Sequence, residues 1–201
     1  MLTTELSDVG QGIMARLKRE TAHLHALLDG RVEPMLVDLA RYPRLLAGLR
    51  DAYCLIEHEL TKHASSLARS GYDLAERSKV GWLDRDLTAF GRQRPGAIQT
   101  SYSLPDATAA FGAIYVIEGA TLGGQVISRQ VIPALALSEE GGCRFFSGYG
   151  ADTGDRWRGT RESIAAHLAT VDAPDAANAM IVAAKDTFSL IDAALRARMC
   201  T

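Results

Sequence analysis

A histidine, an aspartate and a lysine share one face of the first predicted helix. His25 and Asp29 are four residues apart, a spacing that places two helical side chains next to each other. A histidine that binds a metal through one ring nitrogen usually gives its other N–H to a carboxylate, a carbonyl or water, and Asp29 is placed to accept that bond directly or through water. Lys18 precedes His25 by two helical turns, about 10 Å along the axis. The face therefore suits a flat, metal-bearing ring with carboxylates at its edge.

The same spacing also has ordinary explanations. A single histidine on a helix is more often packed or exposed than bound to a metal, and His–Asp pairs four residues apart are common on solvent-exposed faces. His23 is a competing ligand, two residues from His25 and therefore on a different face of the helix. Spacing alone leaves the ligand role of His25 open.

A run of glycines in a predicted helix, between Tyr115 and Gln125, is the second unusual feature. Gly119, Gly123 and Gly124 each cost a helix about 1 kcal/mol relative to alanine, so their presence calls for a reason. Gly119 and Gly123 clear one helix face, and Tyr115 lies one turn earlier on that face with a hydroxyl able to reach a carboxylate. Two explanations stand equal: close packing of another helix, or approach of a flat ligand to the bare backbone.

Apolar residues recur mostly at spacings of three and four, which predicts an all-α domain of seven or eight helices. Ser7 or Asp8 is expected to cap the first helix and Gly30 to end it, and Gly71 is expected to end the third. Pro133 is expected to break or bend the long helix of the glycine run. The predicted helices are 8–29, from about 34, 43 to about 70, 80–90, 106 to about 136, 156–169 and 174–199, with a loop over 91–105 and an irregular glycine-rich segment over 139–155.

Composition narrows the classes of function. The 201 residues, 47% of them hydrophobic, fit one domain with a sizeable core. A net charge of −2 argues against nucleic-acid binding. Cys54, Cys143 and Cys200 are far apart and form no C-x-x-C motif, which favours a reducing cytoplasm over a disulfide framework or zinc site. Neither a signal peptide nor a membrane span is expected from the sequence.

At this point the sequence resembles the haem oxygenase family, of the biliverdin-producing type. The motif L-K-x-x-T-x-x-x-H is present as Leu17, Lys18, Thr21 and His25, and the distal-helix motif is present as residues 118–125. Residues 144–150, followed by Trp157-Arg158, resemble the bacterial members, including those encoded beside bacteriophytochromes. Residues 183–188 resemble the last pocket helix of the family. The similarity runs in order from about residue 14 to 195.

The resemblance implies one haem oxygenase-like domain over residues 1–201, with 1–9 and 197–201 as candidate flexible ends. Haem would be sandwiched between a proximal helix and the glycine-rich distal helix. Asp29 falls where some members carry a glutamate bonded to the histidine, and its shorter side chain makes a direct bond less expected. The implied roles are iron ligation by His25, with Asp29 behind it; haem propionate binding by Lys18, Tyr115 and Arg158; a distal pocket of Gly119, Ala120, Gly123 and Gly124; and pocket walls from Thr21 and Phe188, with Phe145 and Phe146 as core or wall.

Ala120 is a departure from part of the family. Some members have an aspartate at that position, which organises the distal water network. The resemblance therefore implies that here the network is anchored by other groups or by backbone carbonyls.

The implied reaction is oxidative cleavage of haem to biliverdin, CO and Fe²⁺. Haem b would be both cofactor and substrate, O2 the oxidant, and no side chain a nucleophile. Electrons would come from a ferredoxin or reductase, and a bacteriophytochrome is a candidate recipient of the biliverdin. Arg16, Lys18, Arg19 and Arg129 are either part of a docking rim or ordinary solvated charges. Two rivals remain: a haem carrier or sensor of the same fold without turnover, and a helical protein-interaction module.

Overall fold

The computed structural model describes residues 2–92 and 100–199, and their side chains from residue 12 onward. Within these residues the chain is helical, with no β-strand and one isolated bridge between Ser138 and Gly142. The all-α prediction is confirmed. The helices are α1 (Leu2–Val32), α2 (Tyr42–Thr61), α3 (Ala64–Arg69), α4 (Val80–Ala89), α5 (Ala107–Ala134), α6 (Arg144–Ser147), α7 (Thr153–Leu168) and α8 (Ala173–Met199), with 3-10 turns at Glu33–Met35, Leu74–Arg77 and Gly150–Asp152.

Helices α5 and α8 form the centre of the domain. Helix α5 packs against α6, α7 and α8, and α8 also packs against α1 and α2. Two glycines allow the closest crossings on α8, because a Cβ at Gly112 of α5 would collide with the Met180 carbonyl oxygen. A Cβ at Gly48 of α2 would lie 2.9 Å from Leu195 Cδ2. These glycines therefore serve helix packing.

Helix α5 is long and apolar enough, by composition, to pass for a membrane span. More than half of its apolar stretch is buried inside the protein, including Phe111, Ile114 and Ile117. Its hydrophobicity is therefore accounted for by its place in the core. The helix begins after Asp106, whose carboxylate accepts the Ala109 N–H at 2.8 Å, and ends one residue after Pro133.

The first helix is longer than predicted at both ends. It begins at Leu2, so Ser7 and Asp8 lie inside it rather than capping it, and it continues past Gly30 to Val32. The last turn is held by Arg31, whose Nε lies 2.5 Å from Asp192 Oδ1 on α8. This ion pair with α8 stabilises the last turn of α1, which Gly30 by itself disfavours. Of the candidate flexible ends, residues 2–9 belong to α1 and residues 197–199 to α8, and residues 1, 200 and 201 lie outside the described residues.

The predicted second and third helices are also corrected. No helix starts at Pro34; the chain makes a 3-10 turn, and Asp38 Oδ1 then accepts the backbone N–H groups of Ala40 and Arg41, which favours a turn. The predicted helix to residue 70 breaks at Lys62 and His63, where His63 Nε2 lies 2.7 Å from the Leu104 carbonyl oxygen. Gly71 ends α3 as predicted, with φ +83°.

The glycine-rich segment over 139–155 has more structure than predicted. It contains α6 and a 3-10 turn, and α7 begins at Thr153 rather than at residue 156. Gly148 and Gly150 have φ of +56° and +58°, so glycine is needed there to turn the chain. Part of the predicted loop over 91–105, residues 93–99, lies outside the described residues.

A carboxylate on α4 fixes the start of α6. The side chain of Asp86 is fully buried, and its two oxygens accept the backbone N–H groups of Arg144 and Phe145 at 2.7 and 2.8 Å. Burial raises the pKa of Asp86 to about 6, although the two N–H groups oppose part of that rise. Asp86 therefore positions the two phenylalanines of α6, although burying its negative charge is unfavourable.

Asp86→Asn should change the pH dependence of stability. The pKa of Asp86 in the folded protein, about 6, lies above its ordinary value of 3.8. Its contribution is therefore fully present below pH 4 and is lost as the pH rises to about 6. The free energy of unfolding of the wild type, minus that of the variant, should fall by on the order of 2 kcal/mol over that range. Denaturant unfolding at pH 4, 5, 6 and 7 measures it, and a constant difference would contradict the account.

Candidate functional site

A cavity of about 520 Å³ lies between α1 and α5, within the range typical of small-molecule sites. Most of its lining is apolar. Helices α2, α6, α7 and α8 supply the remaining walls. The polar side chains among the described lining residues are Lys18, His25, Asp29, Tyr53, Tyr115 and Trp157.

The His25 ring faces this cavity from α1. Its Nδ1 lies 2.8 Å from Asp29 Oδ2, so the ring donates its Nδ1 proton directly to the carboxylate. A neutral imidazole with its proton on Nδ1 carries a lone pair on Nε2, the form that binds metals. The Phe188 ring on α8 packs beside it, with centroids 6.0 Å apart. His23 does not line the cavity, so the geometry separates the two candidate histidines.

Lys18 and Tyr115 line the cavity from α1 and α5 respectively. Burial raises the pKa of the Tyr115 hydroxyl, and the neighbouring Thr21 hydroxyl opposes part of that rise. Thr21 itself is buried, donates to the Leu17 carbonyl oxygen at 2.7 Å and does not line the cavity. Lys18 and Tyr115 thus offer an exposed ammonium and a protonated hydroxyl, groups suited to bind carboxylates.

The α7 residue that reaches the cavity is Trp157 rather than Arg158. The Arg158 side chain is 64% exposed and is paired with Asp155 on its own helix. Trp157 lines the cavity, its ring centroid lies 6.0 Å from that of Tyr115, and its edge lies next to Gly119. The structure therefore does not bring Arg158 together with Lys18 and Tyr115.

The glycines of α5 fall into two classes. A Cβ at Gly124 would lie 2.8 Å from the Phe146 carbonyl oxygen, so Gly124 serves the packing of α6 and does not line the cavity. A Cβ at Gly119 would make ordinary contact with Trp157 at 3.7 Å, and a Cβ at Gly123 would meet nothing within 4 Å. Gly119 and Gly123 both line the cavity. Packing of the protein therefore requires Gly124 but neither Gly119 nor Gly123.

A buried ionic cluster holds α5 from behind this face. Glu118 is 1% exposed, and its Oε1 accepts from Tyr72, Lys79 and Tyr149 at 2.8, 2.7 and 3.1 Å. Arg77 donates to its Oε2 at 3.3 Å. Burial lowers the pKa of Lys79, and the Glu118 carboxylate opposes that shift. The cluster holds Glu118, the residue directly before Gly119. It thereby fixes the position of the glycine-bearing face of α5 along the cavity.

Eight residues that the sequence assigned to the site line this one cavity, and three features of the cavity were not anticipated. Ala120 and Phe188 line the cavity with the residues already described, and Phe145 and Phe146 form its wall on α6. Tyr53 and Trp157 were not assigned to the site, and the Glu118 cluster was not anticipated. A signal for Tyr53 exists in its spacing, because Leu49 and Tyr53 are one turn apart on α2 and both line the cavity.

Comparison with known proteins agrees with this architecture. The heme oxygenase family model matches residues 11–197. A heme oxygenase from Xanthomonas campestris pv. campestris is 36% identical over 93 residues, which are 46% of this chain and 50% of that protein, so the match spans about half its length. The crystallised NO- and CO-bound heme oxygenase from Neisseria meningitidis has a similar fold, with a TM-score of 0.78 and 21% identity over 94% of this chain and 92% of that chain. Because the family model covers almost the whole sequence, the chain belongs to the haem oxygenase family.

Proposed function

We propose that this protein binds haem through His25 and cleaves it oxidatively to biliverdin, CO and Fe²⁺. One observation carries the proposal: Gly119 and Gly123 leave bare backbone along a cavity that the His25 ring lines from the other helix. A helix gives up about 1 kcal/mol at each such glycine, and the packing of the protein needs neither. A flat ligand that approaches the backbone supplies the reason for both.

The donor set of the cavity fits haem. An imidazole with a lone pair on Nε2 is an ordinary axial ligand of haem iron, and Asp29 fixes its tautomer and orientation. Lys18 and Tyr115, both in the lining, would bind the carboxylates at the edge of the ring, and the apolar walls would exclude water from its faces. Trp157, rather than Arg158, would border that edge on the α7 side.

When bound, haem supplies the oxidative chemistry, with O2 and electrons from an external donor. The chain's own residues would do three things. His25 would hold one face of the ring, and Lys18 and Tyr115 would fix its rotation through the propionates. Gly119 and Gly123 would leave room on the other face for a small molecule. The donor is proposed to be a ferredoxin or reductase of the cytoplasm, and a bacteriophytochrome is a candidate acceptor of the product.

Haem binding without turnover is the second candidate function. Ala120 favours it, because this cavity-lining position offers a methyl group where some haem oxygenases carry a carboxylate. A carrier or sensor would keep the haem intact when reductant and O2 are added.

His25→Ala should abolish biliverdin formation and shift the Soret band of the haem complex, because the ring would lose its axial ligand. His23→Ala is the matched control, since His23 lies on the same helix outside the cavity. The measurement is aerobic haem titration followed by ascorbate, with product chromatography. Normal turnover and an unchanged Soret band in His25→Ala would refute the ligand assignment, while intact haem in the wild-type protein would favour the carrier.

Alanine substitutions in α5 should separate the two classes of glycine. Gly119→Ala and Gly123→Ala should stabilise the haem-free protein by about 0.5–1 kcal/mol each, because alanine favours helix and the space is open. Both should weaken haem binding at least tenfold, since a methyl group would stand against the ring. Gly124→Ala is the control, and should destabilise the haem-free protein by about 1–3 kcal/mol through overpacking against Phe146.

Thermal unfolding and haem titration of the three variants test this pattern. Tight haem binding by Gly119→Ala and Gly123→Ala would mean that neither glycine faces the ligand. Loss of stability in those two variants would mean that they serve packing after all.

A further inference from the structure

The last turn of α1 carries Asp29, the partner of His25, and also contains a glycine. Asp29 accepts from His25 Nδ1 at 2.8 Å, and Gly30 follows it directly. Glycine weakens a helix relative to alanine. A Cβ at Gly30 would meet nothing within 4 Å, so the packing at this position does not call for a glycine. The turn that keeps Asp29 beside His25 is therefore weak by itself.

The bond between His25 and Asp29 adds little to the stability of this turn. The two side chains are 63% and 67% exposed, and pairs so open to water contribute little. The bond instead depends on the helix, because Asp29 stays next to His25 only while the backbone between them is helical. Fraying of the last turn would separate the two side chains.

An ion pair between α1 and α8 supports the same turn. Arg31 Nε lies 2.5 Å from Asp192 Oδ1, and the two side chains are only 23% and 21% exposed. The second carboxylate oxygen of Asp192 accepts from Arg196 at 2.8 Å, which fixes the carboxylate on its own helix. Val32, next to Arg31, and Ile191, next to Asp192, both line the cavity. The ion pair therefore ties the end of α1 to α8 at the wall of the site.

We propose that the ion pair between Arg31 and Asp192 is a positioning device: it closes the last turn of α1 and so holds the Asp29 carboxylate against the iron-binding histidine. This inference rests on the proposed function. A carboxylate that accepts from a metal-bound histidine makes the imidazole a stronger donor, which stabilises ferric over ferrous iron. Loss of the ion pair lets the turn fray, and the reduction potential of the haem then rises.

Hydrogen exchange in the haem-free protein tests the first step. Arg31→Gln and Asp192→Asn break the ion pair, and glutamine forms helix about as well as arginine. The amide protons of residues 29–32 should exchange about fivefold faster in either variant, measured by NMR, because their bonds open more often. Glu20→Gln is the matched control. It breaks another ion pair between α1 and α8, from Lys185 to Glu20 at 3.2 Å, and should leave exchange at residues 29–32 unchanged.

The reduction potential of the haem complex tests the link to the histidine. Asp29→Asn defines the upward shift that follows loss of the charged acceptor, and Arg31→Gln should produce part of that shift. Removal of the positive charge of Arg31 would by itself stabilise ferric iron and lower the potential, so the direction separates the two causes. In the Asp29→Asn background, Arg31→Gln should cause no upward shift, because its effect passes through that carboxylate. Glu20→Gln should leave the potential at its wild-type value.

Gly30→Ala provides a rescue of the broken ion pair. Alanine strengthens the turn and fits the open space at this position. Combined with Arg31→Gln, it should restore both slow exchange at residues 29–32 and a potential close to that of the wild type. A potential that stays raised in the double variant would mean that Arg31 does not act through the turn.

The outcomes distinguish the inference from the proposed function. If the wild-type protein fails to bind haem, the proposed function fails, and the inference fails with it. If haem binds and Arg31→Gln leaves the potential unchanged or lowers it, the ion pair does not act through Asp29. If residues 29–32 exchange at the wild-type rate in both Arg31→Gln and Asp192→Asn, the ion pair does not hold the turn. Either of these last two results overturns the inference and leaves the proposed function standing.

Discussion

The site depends on how α5 is held: three neighbouring helices pack against it, while one of its faces carries glycines and lines the cavity. Helix α5 packs against α6, α7 and α8, and the buried Glu118 anchors it by accepting from four donors, three of them buried. A buried carboxylate is tolerable only when its charge and lone pairs are matched, which Lys79 and Arg77 achieve together with two tyrosine hydroxyls. With its other faces so fixed, α5 can present Gly119 and Gly123 to a cavity instead of to a neighbour.

Helix α1 forms the wall of the cavity opposite the glycines of α5. Helix α1 stands across the cavity from the bare face, and the direct bond between His25 and Asp29 fixes its imidazole. The sequence made that bond uncertain, because an aspartate is shorter than a glutamate. Four residues of helix bring the two side chains close enough that the shorter carboxylate suffices. Asp86 completes the enclosure from α4 by holding the α6 phenylalanines in the wall.

Local pattern predicted much of the fold, and tertiary contacts account for most of the differences. Helices α4 and α8 have the predicted bounds within one residue. Gly30 does not end α1, where Arg31 binds Asp192 on a helix 161 positions later in the chain. The break at His63 involves Leu104 in the same way. Partners so far away along the chain cannot be predicted from the residues next to Gly30 or His63.

The site shows the same division. The spacing of Lys18 and His25 places them on one face of α1, and the spacing of Gly119 and Gly123 places them on one face of α5. The sequence could therefore predict each pair. Whether Trp157 or Arg158 turns inward depends on the rotation of α7 against the domain, since adjacent helical residues point about 100° apart. Tyr53 was not assigned to the site, because its place among the apolar residues of α2 does not distinguish it from a core residue.

A crystal structure of the ferric haem complex would show where the ring lies and which residue binds its iron. We predict haem between α1 and α5, with His25 Nε2 bound to the iron and the backbone of Gly119 and Gly123 against the opposite face. Iron bound by another residue, or haem seated outside this cavity, would contradict it.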